Sequence, residues 1–300
     1  MRKEFLCGLA DLADIDERIV LLTADLGFGS IEVFSSRHPK RFINVGVSEQ
    51  SMIGVATGLA ESGLIPYCYS IAAFSVARTF EFLRNGPIAH GLPVRLVGIG
   101  PGMDYSQDGH THFALEDIGL LLGQPRTLLI CPRDSNSAEG LGRRGSEFPG
   151  LVYYRLARTG LPVEQQSVGL GSRSSCLLLS IGDASSVGQK LLRQMGRDDV
   201  NIRYIEEFSV ELISQLAAEI LHSGTEVIAI LENHYISGGF GTYLADALMS
   251  VGWKGTLHKW GVSKEPFDGL GDYEYMVEEY CETLESFASK ISISLERRTG

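Results

Sequence analysis

The sequence lacks long apolar runs. No uninterrupted hydrophobic segment approaches the ~20 residues that a bilayer-spanning helix needs, and the opening Met1-Arg2-Lys3-Glu4 has no apolar core of the kind found in secretion signals. Internal repeats and low-complexity stretches are also absent. These absences argue against a membrane partner, and we expect a globular protein of the cytoplasm.

Cysteine is scarce and scattered. Cys7, Cys68, Cys131, Cys176 and Cys281 are odd in number and form no CxxC pair. This pattern argues against a disulfide framework and against a zinc site. We therefore expect reduced thiols buried in the core.

Basic residues are outnumbered. The chain has 26 Lys and Arg against 37 Asp and Glu, a formal net charge of -11. Nucleic-acid partners are bound through concentrated Lys and Arg patches, which this chain does not have. A small anionic substrate stays compatible with this charge, because a few local arginines suffice to bind it.

Apolar runs alternate with segments of helical periodicity along the 300 residues, a length that suits two α/β domains. The runs that we interpret as strands of the first domain are 19–23, 42–45, 64–69, 94–99, 127–130 and 151–154. Between two of them, residues 48–62 carry an apolar stripe typical of a helix. The alternation predicts a mostly parallel, doubly wound sheet with helices on both faces.

A polar segment with Pro162 and several glycines and serines covers 161–175 and predicts an interdomain linker. We thus divide the chain into domains 1–160 and 176–300, the second being a smaller doubly wound unit. Its predicted strands are 176–181, 202–205, 227–231 and 256–259, and its predicted helices are 185–195, 209–222 and 241–251. A helical pattern over 272–293 closes it.

Polar residues cluster where strands of the first domain end, which is where open α/β sheets bind their ligands. Glu49 follows the strand 42–45 and lies in the first turn of a helix, where a carboxylate is commonly a solvated, stabilising charge. Phe74 follows the strand 64–69, and an aromatic there is often a core residue. Arg78 and Glu81 behind it are spaced as an i,i+3 surface pair.

The loop 98–117 is the most distinctive segment. Asp108, His110, Thr111 and His112 supply directional hydrogen bonds of the kind that hold hydroxyl groups or an oxyanion. A metal site is the alternative interpretation, although alternating histidines would diverge in an extended segment.

These segments resemble the C-terminal half of transketolases, that is, a thiamine diphosphate (TPP) pyrimidine-binding domain followed by the transketolase C-terminal domain. Gly46-Val47-Ser48-Glu49 resembles the family's Gly-Val-x-Glu turn, and 108–112 resembles its Asp-Gly-x-Thr-His motif. In the second domain, 232–241 resembles the signature Glu-x-His-x-x-x-Gly-Gly-x-Gly. The resemblance spans residues 2 to about 293.

The resemblance assigns roles around the cofactor. It implies that Glu49 contacts the aminopyrimidine N1′ of TPP and favours the imino tautomer that activates the cofactor. Phe74 would stack on the pyrimidine, with Ile71 and Asp25 also near the cofactor. His112 would be catalytic and would orient the substrate.

The resemblance also assigns substrate contacts. Asp108 and His112 would bind the sugar, and Arg2, Ser30 and Arg155 would bind its phosphate end, for which the planar guanidinium is well suited. The chain departs from sugar-phosphate transketolases at three positions: Ile71 and Ala77 replace aromatics, and Gly100 replaces a histidine. These departures distinguish the substrate pocket from that of sugar-phosphate transketolases.

The family's Gly-Asp-Gly motif, which binds the diphosphate and Mg²⁺, is absent from the sequence. The resemblance thus implies a transketolase N-terminal-half subunit as partner, which would provide most of the Mg²⁺ site, in an α2β2 heterotetramer. We expect a natural split enzyme, because Met1 directly precedes a helix. No metal ligands are expected in this chain.

The function that the resemblance implies is transfer of a two-carbon ketol unit from a ketose to an aldehyde. We expect the ketose to be phosphorylated. A related TPP enzyme subunit is the first alternative, either a 1-deoxyketose synthase or a 2-oxoacid dehydrogenase β-subunit. A non-catalytic scaffold or regulatory subunit is the second.

Overall fold

The computed structural model describes residues 1–158, 160, 162–164, 175–265 and 269–299, with the backbone alone for 139–142 and 298–299. The strands are β1 (Ile19–Thr23), β2 (Phe42–Asn44), β3 (Ile65–Ile71), β4 (Arg95–Ile99), β5 (Thr127–Ile130), β6 (Leu151–Leu156), β7 (Cys176–Ile181), β8 (Val200–Ile205), β9 (Glu207–Phe208), β10 (Val227–Tyr235) and β11 (Thr256–Val262). The predicted strands thus lie close to the observed ones.

Helices separate most of these strands. They are α1 (Arg2–Ile15), α2 (Glu32–Arg37), α3 (Glu49–Glu61), α4 (Ala72–Val76), α5 (Phe80–Leu83), α6 (Asp117–Leu122), α7 (Ser135–Arg144), α8 (Ser185–Met195), α9 (Val210–Ser223), α10 (Phe240–Ser250), α11 (Tyr273–Tyr280) and α12 (Leu284–Thr299). Short 3-10 turns cover Pro39–Arg41, Ser106–Asp108, His110–His112 and Gly182–Ala184, and Arg84–Ile88 is π-helical. None of the helices in the described ranges is long and apolar enough to cross a bilayer.

Two sheets organise the chain. The first has the order β2-β1-β3-β4-β6-β5-β9, and the second has the order β11-β10-β7-β8. All strand pairs in the described residues are parallel except β5 with β9, where Leu129 lies opposite Phe208. The predicted α/β class with parallel, doubly wound sheets is confirmed. Because β9 comes from the second half of the chain, it ties that half to the first sheet.

The two halves also share a core. One continuous cluster contains Leu22 and Met52 of the first half together with Leu179, Ile213 and Leu244 of the second. Burial of this apolar surface stabilises both halves at once. The boundary at 161–175 remains a prediction, since 165–174 lie outside the described residues.

The C-terminal segment differs from the expectation of one continuous helical pattern over 272–293. The chain leaves the helical conformation at Cys281, which is extended and forms an isolated bridge with Val262. The indole Nε1 of Trp260 donates to the carbonyl oxygen of Glu282 at 2.8 Å. These contacts with β11 outweigh the local helical preference and divide the segment into α11 and α12.

The cysteines carry no disulfide. All five are free; Cys68, Cys131, Cys176 and Cys281 are buried, and Cys7 is partly exposed. Burial raises the pKa of Cys68 well above its ordinary value, so its thiol stays protonated and unreactive.

Candidate active site

The carboxyl ends of the central strands of the first sheet bring the polar segments together. β2, β1, β3 and β4 are consecutive neighbours in that sheet and run parallel. Their ends therefore lie side by side along one edge, where ligands of such sheets bind. Asp25, Glu49, Phe74 and the loop that begins at Gly100 all follow these ends.

Asn44 fixes the turn that leads into α3. Its Oδ1 accepts hydrogen bonds from the backbone N–H of Asp25 (3.1 Å) and of Gly46 (3.0 Å), and its Nδ2 donates to Asp25 Oδ1 (2.8 Å). Asp25 (φ 57°) and Gly46 (φ 74°) are both in the left-handed region, which is strained for an aspartate. The amide of Asn44 thus stabilises the conformation that positions Asp25 and the start of α3.

Glu49 is buried rather than solvated. Only 2% of its surface is exposed. Ser70 Oγ donates to Oε1 at 3.2 Å, and Arg78 Nη1 donates to Oε2 at 2.7 Å. A buried carboxylate needs such partners, so this glutamate is not the ordinary first-turn helix charge that its position alone would suggest.

Arg78 lies between Glu49 and Phe74. Its guanidinium carbon is 4.1 Å from the centroid of the Phe74 ring, while its Nη1 bonds Glu49. The side chain of Arg78 is 44% exposed. Arg78 therefore forms an ion pair with Glu49 of α3. A flat group with N–H donors thus fits between the Glu49 carboxylate and the Phe74 ring.

Aromatic rings join Phe74 to the loop 98–117. The Phe74 and His112 rings are 5.0 Å apart and meet edge to face, and the Tyr105 ring is 6.0 Å from that of His112. His112 Nδ1 is 3.0 Å from Thr111 Oγ1. His112 is partly buried, whereas Asp108 is exposed in the same loop. The structure thus brings Glu49, Phe74 and His112 into one group.

Tyr105 explains the glycine at position 100. A Cβ on Gly100 would lie 2.1 Å from Tyr105 Cε2, and Gly100 has φ 72°. The tyrosine ring therefore occupies the space that a larger side chain at position 100 would need. This contact could not be read from the sequence, because it joins two loop residues through a turn.

The metal-site alternative for this loop has no support in the described part of the chain. No group of three or more His, Cys, Asp or Glu side chains there could hold a metal ion. His110 is exposed and His112 is directed to aromatic neighbours.

A cavity of about 350 Å³ lies next to this loop. Its lining includes Arg2, Asp104, Arg133, Arg158 and Asp183. The backbone N–H of Arg158 donates to Asp104 Oδ2 at 2.5 Å, and the Arg158 guanidinium carbon is 4.6 Å from the Tyr105 ring centroid. Asp104 and Arg158 were missed from the sequence, although Arg158 comes three residues after the arginine that we expected here.

Arg155 itself lies elsewhere than expected. It is 1% exposed, and its Nε, Nη1 and Nη2 donate to Asp117 Oδ2 (2.8 Å), Asp183 Oδ1 (2.6 Å) and the Asn233 carbonyl oxygen (2.7 Å). The prediction that Arg155 binds the phosphate end of the substrate is therefore corrected, because its guanidinium already pairs with the carboxylates of Asp117 and Asp183. Arg155 instead links the two halves.

Arg2 and Ser30, the other two residues predicted to contact the phosphate, lie in different places. Arg2 lines the 350 Å³ cavity. Ser30 is buried in the turn before α2, where its backbone N–H donates to the Gly27 carbonyl at 3.1 Å, and it does not line the cavity. Ile71 is partly buried at the end of β3 and is the N-cap residue of α4.

Comparison with known proteins decides the family. The family described as "Transketolase, pyrimidine binding domain" matches residues 1–163, more than half of the chain. This chain belongs to the transketolase family. The transketolase match covers the sheet edge that carries Glu49, Phe74 and His112.

Relatives extend the likeness over the whole chain. A protein of Methanocaldococcus jannaschii, named as a transketolase C-terminal section, is 26% identical and the alignment covers 99% of this chain and 96% of that protein. The 6-deoxy-6-sulfo-D-fructose transketolase subunit SqwH of Clostridium sp. is 30% identical, with 93% and 89% covered. The chain thus corresponds to the C-terminal half of transketolases, as its motifs indicate.

A solved structure shows the same fold. It is described as "Split gene transketolase, inactive beta4 tetramer" and superimposes with a TM-score of 0.80 at 24% identity, covering 98% of both chains. At this identity the likeness supports the fold alone.

The transketolase C-terminal signature of this chain lies in a buried, polar place between the halves. Glu232 is fully buried, and its Oε1 accepts a hydrogen bond from the backbone N–H of Gly241 at 3.2 Å. Burial raises the pKa of Glu232 to about 7. His234, also buried, has its Nδ1 2.9 Å from the Tyr235 carbonyl oxygen, and burial lowers its pKa to about 4.

Glu232 is expected to make the stability of this transketolase chain depend on pH. Between its unfolded pKa of 4.5 and its folded pKa of about 7, the folded state holds a proton that the unfolded state has lost. The free energy of unfolding therefore falls as the pH rises through this window, by on the order of 3 kcal/mol for this group. Glu232→Gln should remove this fall, as measured by urea unfolding at pH 4.5 and 8.

Comparing the wild type with Glu232→Gln isolates the contribution of Glu232 to the pH dependence. His234 has a lowered pKa and contributes the opposite slope, but wild type and variant share it. Glutamine keeps an oxygen for the Gly241 amide. Parallel stability profiles for the two proteins would contradict the prediction.

Proposed function

We propose that this chain is the C-terminal subunit of a split, TPP-dependent transketolase that transfers a two-carbon ketol unit from a ketose to an aldehyde. The arrangement of Glu49, Arg78 and Phe74 carries the proposal. A buried carboxylate that bonds a flat N–H-bearing group, with an aromatic ring against the same group, is what an aminopyrimidine needs.

The residues of this chain fit the pyrimidine end of TPP. Glu49 would hold the proton shared with N1′, Phe74 would stack on the ring, and Ile71 and Asp25 would border the site. When bound, TPP supplies the carbon nucleophile and the electron sink of the reaction. Because Arg78 makes the same two contacts, its partly exposed side chain has to leave when the pyrimidine binds.

His112 and Asp108 would bind the sugar part of the substrate. Both can hydrogen bond to hydroxyl groups, and His112 adjoins Phe74. The Clostridium relative is named for a sulfonated fructose, which supports a ketose as the donor. Arg2 and Arg158 in the adjoining cavity would meet an anionic group at its far end.

A transketolase N-terminal-half partner would supply the diphosphate and Mg²⁺ site in an α2β2 assembly. The chain lacks the Gly-Asp-Gly motif for this site. Apolar side chains on the elements around Glu49 remain exposed, which is typical of surfaces that another protein covers. They are Phe28 (75%), Val47 (78%), Val55 (42%) and Phe82 (42%).

Reconstitution tests the proposed function. The chain is mixed with the N-terminal-half protein, TPP and Mg²⁺, and ketose donors are supplied together with an aldehyde acceptor. The product assayed is a ketose that is two carbons longer than the acceptor. We expect transfer only when both proteins are present. Cleavage of the ketose donor at the same rate without an acceptor would contradict the proposal. So would a complete lack of cleavage of every ketose tested.

A charge on the exposed apolar surface is expected to prevent assembly. Val47→Asp should weaken association with the N-terminal-half protein by about tenfold or more, because the complex would bury an unpaired carboxylate. Calorimetry and light scattering measure the affinity and the mass of the complex. Met249→Asp is the matched control, since Met249 is equally exposed, at 79%, but lies on α10 of the second half. Equal losses in both variants would contradict this placement of the interface.

A further inference from the structure

Side chains of both charges line the 350 Å³ cavity, and Asp104 is one of its two carboxylates. The lining of the 350 Å³ cavity includes three arginines, two aspartates and the N-terminal residue Met1. Asp183 already pairs with Arg155 behind the cavity wall at 2.6 Å. Within the part of the chain that the structure describes, Asp104 forms no side-chain ion pair, and the backbone N–H of Arg158 donates to its Oδ2.

The cavity adjoins the residues proposed to bind the sugar. Asp104 is followed by Tyr105, whose ring contacts the Arg158 guanidinium on the cavity side and lies 6.0 Å from the His112 ring on the other. A ketose bound at His112 would thus extend past Tyr105 toward Asp104 and Arg158. The far end of the ketose would then meet the charged side chains that line the cavity.

We propose that Asp104 selects donors whose far end carries a single negative charge, such as a sulfonate, over donors that end in a phosphate. The inference rests on the proposed function and narrows its substrate class. A phosphate monoester carries nearly two charges at neutral pH, whereas a sulfonate carries one. The Asp104 carboxylate therefore repels a phosphate, which carries the second charge, more strongly than it repels a sulfonate.

Asp104 is ionised under ordinary assay conditions. Burial raises the pKa of its carboxyl to about 6, so at pH 7.5 the group is negative. Like charges a few ångströms apart in a partly buried site repel strongly. Removing this charge should therefore change the preference between the two anions without changing the binding of the sugar itself.

Asp104→Asn tests the inference in the complex with the N-terminal-half protein, TPP and Mg²⁺ at pH 7.5. Asparagine has the same shape and keeps an oxygen for the Arg158 amide. The donors are a ketose 6-phosphate, the 6-sulfonate of the same ketose and the unsubstituted ketose. We expect the wild type to prefer the sulfonate in kcat/KM, and the variant to gain about tenfold for the phosphate relative to the sulfonate. The unsubstituted ketose should respond least.

Asp198→Asn is the charge-matched control, because Asp198 is exposed before β8, and it should leave the ratio unchanged. A wild type that handles the phosphate as well as the sulfonate, or an unchanged ratio in the Asp104 variant, would overturn the inference. Thermal unfolding establishes that the variant is folded, and if it is not, Asp104→Ser replaces it.

Binding separates this inference from the proposed function. Calorimetry of each donor with the complex, without an acceptor, measures affinity independently of turnover. Absence of transfer together with a shifted binding ratio in Asp104→Asn would refute the transketolase activity and leave the anion selection intact. Transfer together with an unshifted binding ratio would refute the selection alone.

Discussion

Glu49→Gln is expected to lower kcat of the reconstituted enzyme about 10²–10⁴-fold, the range lost when a general acid–base group is removed. Glutamine has nearly the same shape and can still accept the hydrogen bond from Ser70. It cannot exchange a proton with the aminopyrimidine, so it should bind the cofactor without activating it. The kcat at saturating TPP and donor measures the effect.

A loss of folding or of cofactor binding would give a different result. TPP affinity measured by calorimetry should change far less than kcat, and the circular dichroism spectrum should not change. Glu61→Gln is the matched control, since Glu61 is exposed at the other end of α3. Full turnover by Glu49→Gln would refute the role proposed for this carboxyl.

The sequence predicts the sheets well because their strands are buried on both faces. β1, β5 and β7 coincide with runs of apolar residues that turns or polar segments limit on both sides. The turn before α3 is also recognisable, because it needs a glycine at a left-handed position and a polar strand end. Local chemistry is sufficient for these features.

Contacts between distant segments are what the sequence does not reveal. Ser70 and Arg78 are 21 and 29 residues from Glu49, and only the folded sheet edge brings them to its carboxylate. Helical spacing suggests Glu81 as the partner of Arg78, but a buried, otherwise unpaired carboxylate binds a cation more strongly than an exposed one. The tertiary fold therefore decides the partner.

The two arginines at the end of β6 illustrate the same limit. Arg155 and Arg158 are chemically identical and three residues apart. Arg155 belongs to the strand and is buried against the second half, whereas Arg158 follows it and reaches the cavity. Which of them binds a ligand depends on where the second half packs, and the sequence of β6 carries no information on that packing.

Arg155→Met is expected to lower the free energy of unfolding by about 3–5 kcal/mol, the cost of removing one partner from a buried ion pair. Methionine would fill much of the space but leave Asp117 and Asp183, both almost fully buried, without their cation. Tyr153 also donates to Asp117, at 2.8 Å, and one neutral hydrogen bond does not replace the lost charge. Urea unfolding followed by circular dichroism measures the change.

The carboxylates, rather than the space left by arginine, should account for this loss. Adding Asp117→Asn and Asp183→Asn to Arg155→Met removes the uncompensated charges, and we expect the triple variant to regain part of the stability. Arg203→Met is the matched control, because its pair with Glu219 lies at the surface, where such pairs contribute about 0–1 kcal/mol. Arg155 and the shared core join the halves, so two unfolding transitions in place of one would locate the damage at their interface. A loss no larger than that of the control would contradict the prediction.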